Sequence, residues 1–185
     1  MDLEQEQQLV ERAKNDTGAF GELYDLYYSR IFGYVLKRTA NIEYTQDITS
    51  EIFVKALNSL HKFQWRGIPF SAWLYRIANN EIANHFRRNG RHQLELDTVS
   101  NSISHSEPSS ESELIEAETE LEKYEDFLTL HKNIARLPIK YQEVITLRFF
   151  ENKQLKEIGE ILGKQEGTIK SLLHRGLKKL KNLIE

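Results

Sequence analysis

The pattern of apolar and polar positions along the chain predicts α-helices almost throughout. Apolar residues recur at spacings of three, four and seven from Leu9 to Val35, and again in a helix that begins near Asp47 and ends near Leu60. A short break rich in turn-forming residues leads into a further helix over 70–88. No run alternates between apolar and polar residues as a half-buried strand requires, so the predicted fold class is all-α.

A polar stretch near the middle divides the helices into two groups. Residues 89–112 are rich in Ser, Glu, Asn and His and contain few apolar side chains. Such a composition does not bury enough surface to offset the entropy of ordering the chain. We therefore predict a flexible acidic linker over 93–112, an N-terminal helical bundle over 1–92 and a second small helical domain over 113–185.

The second domain has the pattern of a helix-turn-helix. After an amphipathic helix that runs toward Leu137 and Pro138, three helices are predicted over about 139–150, 155–162 and 166–184. Only three residues, the first of them a glycine, separate the last two helices. That spacing is typical of a helix-turn-helix, although helical hairpins also use short glycine turns.

The last predicted helix separates an apolar stripe from a basic arc. A helical wheel places five aliphatic side chains on the face expected to pack on the preceding helices: Ile169, Leu173, Leu177, Leu180 and Ile184. The opposite arc contains no acidic residue, which a merely solvated face seldom avoids. In a recognition helix, N-terminal residues approach base edges and later basic residues contact phosphates. We predict that this arc binds duplex DNA through Gly167, Thr168, Lys170, Ser171, His174, Arg175 and Lys178.

The helix over 70–88 combines an apolar face with a polar one. Trp73 falls beside the apolar face and is expected to pack in the core. Asparagine is a mediocre helix former, yet three occur here, and amide side chains can hydrogen-bond base edges while arginines neutralise phosphates. The predicted DNA-binding residues are a stripe of Arg76, Asn80 and Arg87 with Asn79, Asn84 and Arg88 at its sides.

The loop before this helix adds aromatic and basic side chains. Trp65 and Arg66 lie outside the regular helix, where an aromatic ring can stack on an unpaired base. A hydrophobic lid over the helical bundle explains Trp65 equally well. Both residues are therefore predicted candidates for contact with single-stranded DNA.

The distribution of charge supports a polyanionic partner. The net charge is only −3, but residues 62–94 hold six Lys and Arg against one acidic residue, and residues 130–185 hold twelve against six. Between them, residues 95–129 hold one basic residue against eleven acidic ones. Two basic segments separated by an acidic one are typical of nucleic-acid binding, with solvated charged faces as the alternative.

The composition also excludes several classes of protein. There is no cysteine, and therefore no disulfide framework, thiolate zinc site or cysteine nucleophile. No basic segment followed by an apolar run opens the chain, and no stretch has the ~20 apolar residues that a membrane span requires. No phosphate-binding glycine loop, carboxylate pair or metal-ligand cluster is evident. We expect a cytoplasmic protein without membrane insertion, catalytic residues, metal or cofactor.

Separated segments of the chain, in order, are similar to the motifs of the extracytoplasmic-function group of bacterial RNA polymerase sigma factors, in the sigma-70 family. DITSEIF at 47–53 is similar to the family's D-L-T-Q-E-T-F, and FSAWLYRIANN at 70–80 to F-x-x-W-L-x-x-I-A-x-N. In the second domain, EVITLRF at 143–149, EIGEILG at 157–163 and GTIKSLLHR at 167–175 follow R-x-V-x-L-R-Y, E-I-A-x-x-L-G and G-T-V-K-S-R-L-H-R. Several motifs in the right order are far more specific than any one of them.

The resemblance implies a promoter-specificity subunit. The family's pattern places the contact with the clamp region of the beta-prime subunit of core polymerase on Asp47, Ser50, Glu51 and Phe53. The helix of Asn80 would capture the minus-10 element, and the last helix would enter the major groove of the minus-35 element. Members of this group are commonly held inactive by an anti-sigma factor, often bound to the membrane.

Three positions depart from the family's pattern. Ser50 replaces the usual Gln, Asn84 stands where Asp is frequent, and Leu172 replaces the customary Arg of the recognition helix. Leu172 lies at the border of the wheel, where an apolar residue extends the core.

Two other classes of protein compete with this interpretation. A stand-alone helix-turn-helix regulator would explain residues 137–185 but not the Asn80 stripe or the helix at 47–53. A recombinase would need a catalytic N-terminal domain, which a helical bundle without a nucleophile does not supply.

Overall fold

The computed structural model describes residues 1–65, 67–88 and 128–184 of the chain, and within them every regular element is helical. The all-α prediction is confirmed, whereas the predicted linker lies outside the described residues. The helices form an N-terminal lobe before the undescribed middle of the chain and a C-terminal lobe after it. The N-terminal lobe contains α1 (Leu3–Ala13), α2 (Thr17–Thr39), α3 (Ile42–Ser59) with a 3-10 turn (Leu60–Lys62), and α4 (Phe70–Arg88). The C-terminal lobe contains α5, described over residues 128–136, α6 (Ile139–Ile145) with a π-helical extension (Thr146–Phe150), α7 (Leu155–Leu162) and α8 (Glu166–Ile184).

A side-chain cap sets the boundary between α2 and α3. Ala40 adopts a left-handed conformation, with φ of 50°, and ends α2. The Asn41 side chain then accepts a hydrogen bond from the Tyr44 backbone N–H at 2.9 Å, which satisfies one of the unpaired donors at the start of α3. The helix therefore begins at Ile42. The predicted start near Asp47 is wrong because the apolar side chains of the first turn, Ile42 and Tyr44, are exposed and so do not belong to the buried pattern that predicts the helix.

One buried core joins the four helices of the N-terminal lobe. Val10 of α1, Ile31 of α2, Ile52 of α3, and Leu74 and Ile82 of α4 are each 0% exposed. These side chains recur at helical spacing in the sequence, and their burial supplies the main force that holds the helices together. The candidate DNA-binding face of α4 is thus the face turned away from this core.

A buried carboxylate fixes the start of α4. Glu6, on α1, is 5% exposed and accepts hydrogen bonds from the Phe70 backbone N–H at 2.8 Å and from the Tyr27 hydroxyl. The first N–H groups of a helix have no partner within the helix, and Glu6 supplies one from a distant part of the chain. Burial, reinforced by Glu6, raises the pKa of the Tyr27 hydroxyl above its ordinary value. The contact couples α1 to the orientation of α4.

The turn between α7 and α8 depends on two glycines. Gly163 has φ of 64°, which a residue with a Cβ rarely adopts, and the Lys164 backbone N–H donates to the Gly159 carbonyl at 2.9 Å. A Cβ on Gly159 would lie 2.7 Å from the Lys164 carbonyl oxygen. The structure confirms the predicted helices over 155–162 and 166–184 and the short turn between them.

Helix α8 packs on α6 through a glycine. A Cβ on Gly176 would meet the Tyr141 Cβ at 3.2 Å and the Ile145 Cδ1 at 3.1 Å, so the two backbones approach closely there. The predicted apolar stripe is wrong at two positions, because Leu177 and Ile184 are 41% and 59% exposed. The close approach centres the buried face of α8 on Ile169, Leu172, Leu173, Gly176 and Leu180.

The two lobes contact each other directly. Helix α4 lies against α7, and α2 lies against the π-helical extension of α6. Helical periodicity does not predict this contact between the two lobes, since both sides of the interface carry polar residues. The interface positions the two candidate DNA-binding helices in one compact body.

Candidate nucleic-acid interface

The polar arc of α8, which we define as Gly167, Thr168, Lys170, Ser171, His174, Arg175 and Lys178, is exposed at every position. The arc begins in the first turn of the helix, directly after the tight turn of the helix-turn-helix. The backbone N–H groups at such a helix start favour a phosphate oxygen. The α8 arc can therefore meet a DNA duplex without any rearrangement of the C-terminal lobe.

Local hydrogen bonds hold side chains of the α8 arc along the helix. The Ser171 hydroxyl donates to the Gly167 carbonyl at 3.0 Å, and Arg175 Nε donates to the Ser171 carbonyl at 3.2 Å. Lys170 pairs with Glu166 at 2.8 Å, with both side chains more than 45% exposed. An exposed ion pair of this kind contributes little to stability, and a phosphate can replace the carboxylate as partner of Lys170.

Leu172 lies on the buried side of α8. It is 6% exposed and joins the core of the C-terminal lobe. A basic residue at this position would not reach DNA in the same rotation of the helix. The departure from the family's arginine therefore extends the core, as its border position on the wheel predicts.

The stripe of α4, which we define as Arg76, Asn80, Ala83 and Arg87, lies on the outer side of the helix. Arg76, Asn80 and Arg87 are exposed and Ala83 is half-buried. Asn84 is half-buried beside the stripe, and its side-chain oxygen accepts a hydrogen bond from Arg87 at 2.9 Å. Arg88, at the end of the helix, is exposed. The stripe presents one amide between two guanidinium groups.

Asn79 faces inward. It is 6% exposed, and its side-chain oxygen accepts hydrogen bonds from the Tyr34 hydroxyl at 2.7 Å and from the Arg38 guanidinium. Burial raises the pKa of Tyr34 to about 12 against the opposing effect of Arg38, so the phenol remains a hydrogen-bond donor. In this arrangement Asn79 holds the lobe together, while its neighbour Asn80 is accessible.

Aromatic side chains cluster at the start of α4. Phe63 contacts both Trp65, at a ring-centroid distance of 6.3 Å, and Trp73, at 5.0 Å. Trp73 also lies 5.2 Å from Phe70, and both tryptophans are partly buried against the core. The prediction that Trp73 packs in the core is confirmed. Arg66 lies outside the described residues, so the stacking role predicted for the loop remains a prediction.

A cleft of about 540 Å³ opens between this aromatic cluster and the C-terminal lobe. Trp73 and Arg76 line one side, and Glu160 and Ile161 of α7 line the other. Arg76 donates to the Glu160 carbonyl at 2.6 Å and to the Ile161 carbonyl at 3.3 Å. One arginine of the α4 stripe is therefore engaged by α7.

The predicted polymerase-binding residues lie on α3. Asp47, Ser50 and Glu51 are exposed, whereas Phe53 is 5% exposed and packs against the Tyr24 ring at 4.7 Å. Phe53 supports the surface from below, and the three polar residues are available to a partner.

Two exposed apolar side chains beside this surface were not among the residues predicted from the sequence motifs. Val54 is 58% exposed and Leu57 is 42% exposed, and both follow Ser50 along one face of α3. Tyr24 of α2, 38% exposed, contacts Phe53 of α3. The available signal was Val54, an apolar residue on the polar side of the helical pattern, whereas the pattern places Leu57 on the apolar face. Exposed apolar side chains next to acidic ones form a surface suited to another protein.

Among the described residues, no group of His, Asp and Glu side chains could hold a metal ion, and no helix is long and apolar enough to cross a bilayer.

Models of two protein families match the chain. Residues 23–92 match sigma-70 region 2, and residues 127–180 match sigma-70 region 4. The first match contains α3 and α4, and the second contains the helix-turn-helix.

Curated proteins and solved structures agree with the family models. The chain is 34% identical over 185 residues to the ECF RNA polymerase sigma factor BldN of Streptomyces coelicolor, covering 96% of this chain and 65% of that protein's length. It is 32% identical to the RNA polymerase sigma factor YlaC of Bacillus subtilis, covering 86% of this chain and 88% of YlaC. A solved structure of CnrH in complex with the cytosolic domain of CnrY shares the fold, with a TM-score of 0.67 and 20% identity over 97% of this chain and 96% of that one.

Proposed function

Because the chain belongs to the extracytoplasmic-function group of RNA polymerase sigma factors in the sigma-70 family, we propose that it directs core polymerase to specific promoters and assists their opening. The observation that carries this proposal is the presence of both sigma regions, in order, with an exposed polar surface on the key helix of each. A stand-alone regulator would use the C-terminal lobe only.

Core polymerase binds to α3 in this proposal. Asp47, Ser50 and Glu51 would contact the clamp region of the beta-prime subunit, with Phe53 fixing the helix surface from within. The exposed side chains of Val54 and Leu57 enlarge the contact. Ser50 is shorter than the family's glutamine and therefore makes a weaker polar contact.

The exposed residues of α4 would bind the minus-10 element. Asn80 is the stripe's accessible amide and can hydrogen-bond the edge of an unpaired base, while Arg87 and Arg88 neutralise phosphates. Asn84 and Arg87 support each other at the edge of this surface. Asn79 contributes by holding Tyr34 and Arg38 beneath it.

The α8 arc would bind the minus-35 element in the major groove. Thr168 and Ser171, near the helix start, are placed to approach base edges. Arg175 and Lys178 lie one and two turns later, where they neutralise phosphates or, for Arg175, read a guanine.

The division of the chain follows from these roles. The domain over 1–92 would bind polymerase and the minus-10 element, the domain over 113–185 would bind the minus-35 element, and the acidic segment over 93–112 would connect them through the polymerase. We propose that the protein works in the cytoplasm as a binding subunit without catalytic residues, metal or cofactor.

We also propose an anti-sigma factor as a regulatory partner. The related structure of CnrH contains a bound cytosolic domain of CnrY, and the chain shares the fold of CnrH over nearly its whole length. A partner with a cytosolic domain of this kind would hold the protein at the membrane without any membrane insertion by the chain itself.

Transcription by bacterial core polymerase tests the function. Core enzyme with the purified protein is expected to produce discrete transcripts from a library of randomised promoter fragments, and core enzyme alone is expected to produce none of them. The variant Glu51→Ala should lose core binding but retain duplex binding, with Glu43→Ala, also exposed on α3, as its matched control. Sequence-specific DNA binding without any added transcription would contradict the proposal and favour a stand-alone regulator.

A further inference from the structure

A row of polar contacts joins α3 to the outer side of α4. Glu81 of α4 is only 5% exposed, and one oxygen of its carboxylate pairs with Lys55 Nζ of α3. The other carboxylate oxygen accepts a hydrogen bond from the Asn84 side-chain nitrogen at 3.5 Å. The Asn84 oxygen in turn accepts from the Arg87 guanidinium at 2.9 Å. We define these four residues as the polar relay, which ends on an exposed arginine of the α4 stripe.

Helical spacing and one contact from α3 build the polar relay. Residues three apart on a helix lie on neighbouring turns of one side, so positions 81, 84 and 87 form a row. Glu81 is at the buried end of this row and Arg87 is at the exposed end. Lys55 supplies the positive charge that a buried carboxylate requires. The relay therefore pairs the charge of Glu81 with Lys55, and it gives Arg87 a neutral amide as its partner.

The amide of Asn84 has two different ends, and Glu81 decides their direction. The NH2 group only donates and the oxygen only accepts, so the nitrogen lies toward Glu81 and the oxygen toward Arg87. An ionised carboxylate cannot donate, and it therefore selects the nitrogen. The family's frequent Asp at position 84 would place a second carboxylate beside Glu81, where like charges repel. The departure at Asn84 is thus matched to Glu81.

The direction of the amide determines what the guanidinium of Arg87 meets. With its oxygen outward, Asn84 holds the guanidinium through one donor and leaves the other donors for DNA. If the amide turned over, its NH2 group would face the guanidinium, and two donors do not hydrogen-bond each other. Arg87 would then occupy several rotamers, and ordering it on DNA would cost binding free energy.

We propose that Glu81 is a positioning residue of the minus-10 surface, which holds Arg87 in place for promoter DNA through the direction of the Asn84 amide. The proposal rests on the proposed function, since it assigns Arg87 to the minus-10 element. It also gives a reason for a carboxylate beside a surface that binds a polyanion, where charge alone makes an acidic residue unfavourable. Glu81 is buried and acts through its neighbour.

Removal of the carboxylate charge separates positioning from simple electrostatics. Glu81→Gln keeps the size of the side chain and removes one negative charge from the DNA-binding lobe. Electrostatics alone predicts tighter binding of DNA, whereas loss of the amide direction predicts weaker binding.

The measurement uses holoenzyme, formed from core polymerase and the full chain, and the labelled single-stranded non-template minus-10 strand of a promoter recovered by transcription. For Glu81→Gln we expect binding about two- to tenfold weaker than for the wild type, the size of one hydrogen bond. Glu43→Gln, exposed on α3, is the control for the loss of one charge and should not weaken binding.

An exchange of the two side-chain groups provides the rescue. In the double variant of Glu81→Gln and Asn84→Asp, the amide and the carboxylate change places, and the net charge is that of the wild type. The amide at position 81 can accept from Lys55 and donate to the carboxylate at position 84, which accepts from Arg87. The double variant should therefore bind the strand more tightly than either single variant, because only the pair restores every contact of the polar relay.

Asn84→Leu provides a second variant if Glu81→Gln unfolds the lobe, which far-UV circular dichroism and thermal unfolding detect. It removes the acceptor of Arg87 without a change of charge, so binding should weaken. In an Arg87→Ala background, Asn84→Leu should cause no further loss, because Asn84 acts through Arg87.

Three results would overturn the positioning role. They are unchanged or tighter binding by Glu81→Gln, a double variant that binds no better than the single variants, and a loss for Asn84→Leu that is equal in both backgrounds. Transcription by the wild type is independent of these comparisons. A wild-type protein that transcribes while Glu81→Gln binds unchanged disproves the positioning role alone, whereas a wild-type protein that produces no discrete transcripts disproves the proposed function.

Discussion

Helices α4 and α8 have the same length, 19 residues, and each carries an apolar face and a polar one, but their polar faces have different roles in the fold. On α8 the polar arc is exposed from Gly167 to Lys178 and makes no contact with the N-terminal lobe among the described hydrogen bonds and ion pairs. On α4 the polar residues divide three ways: Asn79 holds the core, Arg76 binds the other lobe, and Asn80 is accessible. A polar face on a helix therefore indicates a binding surface only after intramolecular partners have been assigned.

Replacement of the two adjacent asparagines of α4 is expected to give the largest difference, which lies in the free energy of unfolding. Asn79→Ala removes the oxygen that accepts from Tyr34 and from the buried Arg38 guanidinium, so we expect a loss of about 3 kcal/mol in the free energy of unfolding. Asn80→Ala should change stability by less than ~0.5 kcal/mol, because the side chain is exposed. Urea denaturation measures both. Equal stability of the two variants would show that Asn79 is not a structural residue.

The same pair of variants separates folding from promoter opening. Asn80→Ala should slow promoter opening, followed by permanganate reactivity of unpaired thymines, with little effect on binding to the minus-35 duplex. An opening rate equal to that of the wild type would remove Asn80 from the minus-10 surface.

Arg175→Ala should weaken binding to the minus-35 duplex by about 1–3 kcal/mol if the side chain reads a base, without affecting stability. Its described hydrogen bond is to the carbonyl of Ser171 on its own helix, so its removal leaves the core intact. Fluorescence anisotropy with the duplex measures the affinity, and Asn182→Ala, exposed near the end of the same helix, is the control. A loss of the same size for the control would mean that α8 binds in another orientation.

The smallest expected effect is that of pH. Acidification should increase the fraction of molecules in which the two lobes are apart. His131 lies at this interface, beside Lys37 and with its ring 5.1 Å from that of Phe150, and burial followed by the charge of Lys37 lowers its pKa. The pKa of His131 is therefore lower in a closed form, in which the lobes are in contact, than in an open form, in which they are apart. Below the ordinary value of about 6.5, the open form binds a proton more readily than the closed form, so the closed fraction should decrease as pH falls.

The chain has no cysteine, so Asn58→Cys on α3 and Lys179→Cys on α8, both exposed, permit spin labelling, and pulsed-EPR distances between the labels at pH 7.5 and pH 5.5 measure this change. Replacement of His131 by Asn should remove the response, and replacement of the exposed His61 by Gln should not. A pH response that persists without His131 would assign the effect to another group of the interface. Glu143 is not that group, because its pKa is raised where the lobes are in contact, and acidification acting on Glu143 would favour the closed form.

The sequence by itself determined the all-α class, the helix-turn-helix and the family. Apolar spacing and a glycine turn predict α4, α7 and α8 because these helices bury one continuous face, and the ordered motifs identify the family because each depends on local residue types. The exposure of the α8 arc follows from the same local pattern. Its apolar side was predicted less well, since the close approach at Gly176 centres the buried face away from Leu177, which the wheel places on the apolar stripe and which is exposed.

Only the tertiary structure decided the roles of single polar residues. Asn79 and Asn80 are adjacent and identical in type, and their roles differ because Arg38, distant in the chain, lies against one of them. Glu6 caps α4 from another helix, and Glu151 binds Lys37 across the two lobes. Such contacts depend on charge and direction between distant segments, and the spacing of residues along one helix does not contain that information.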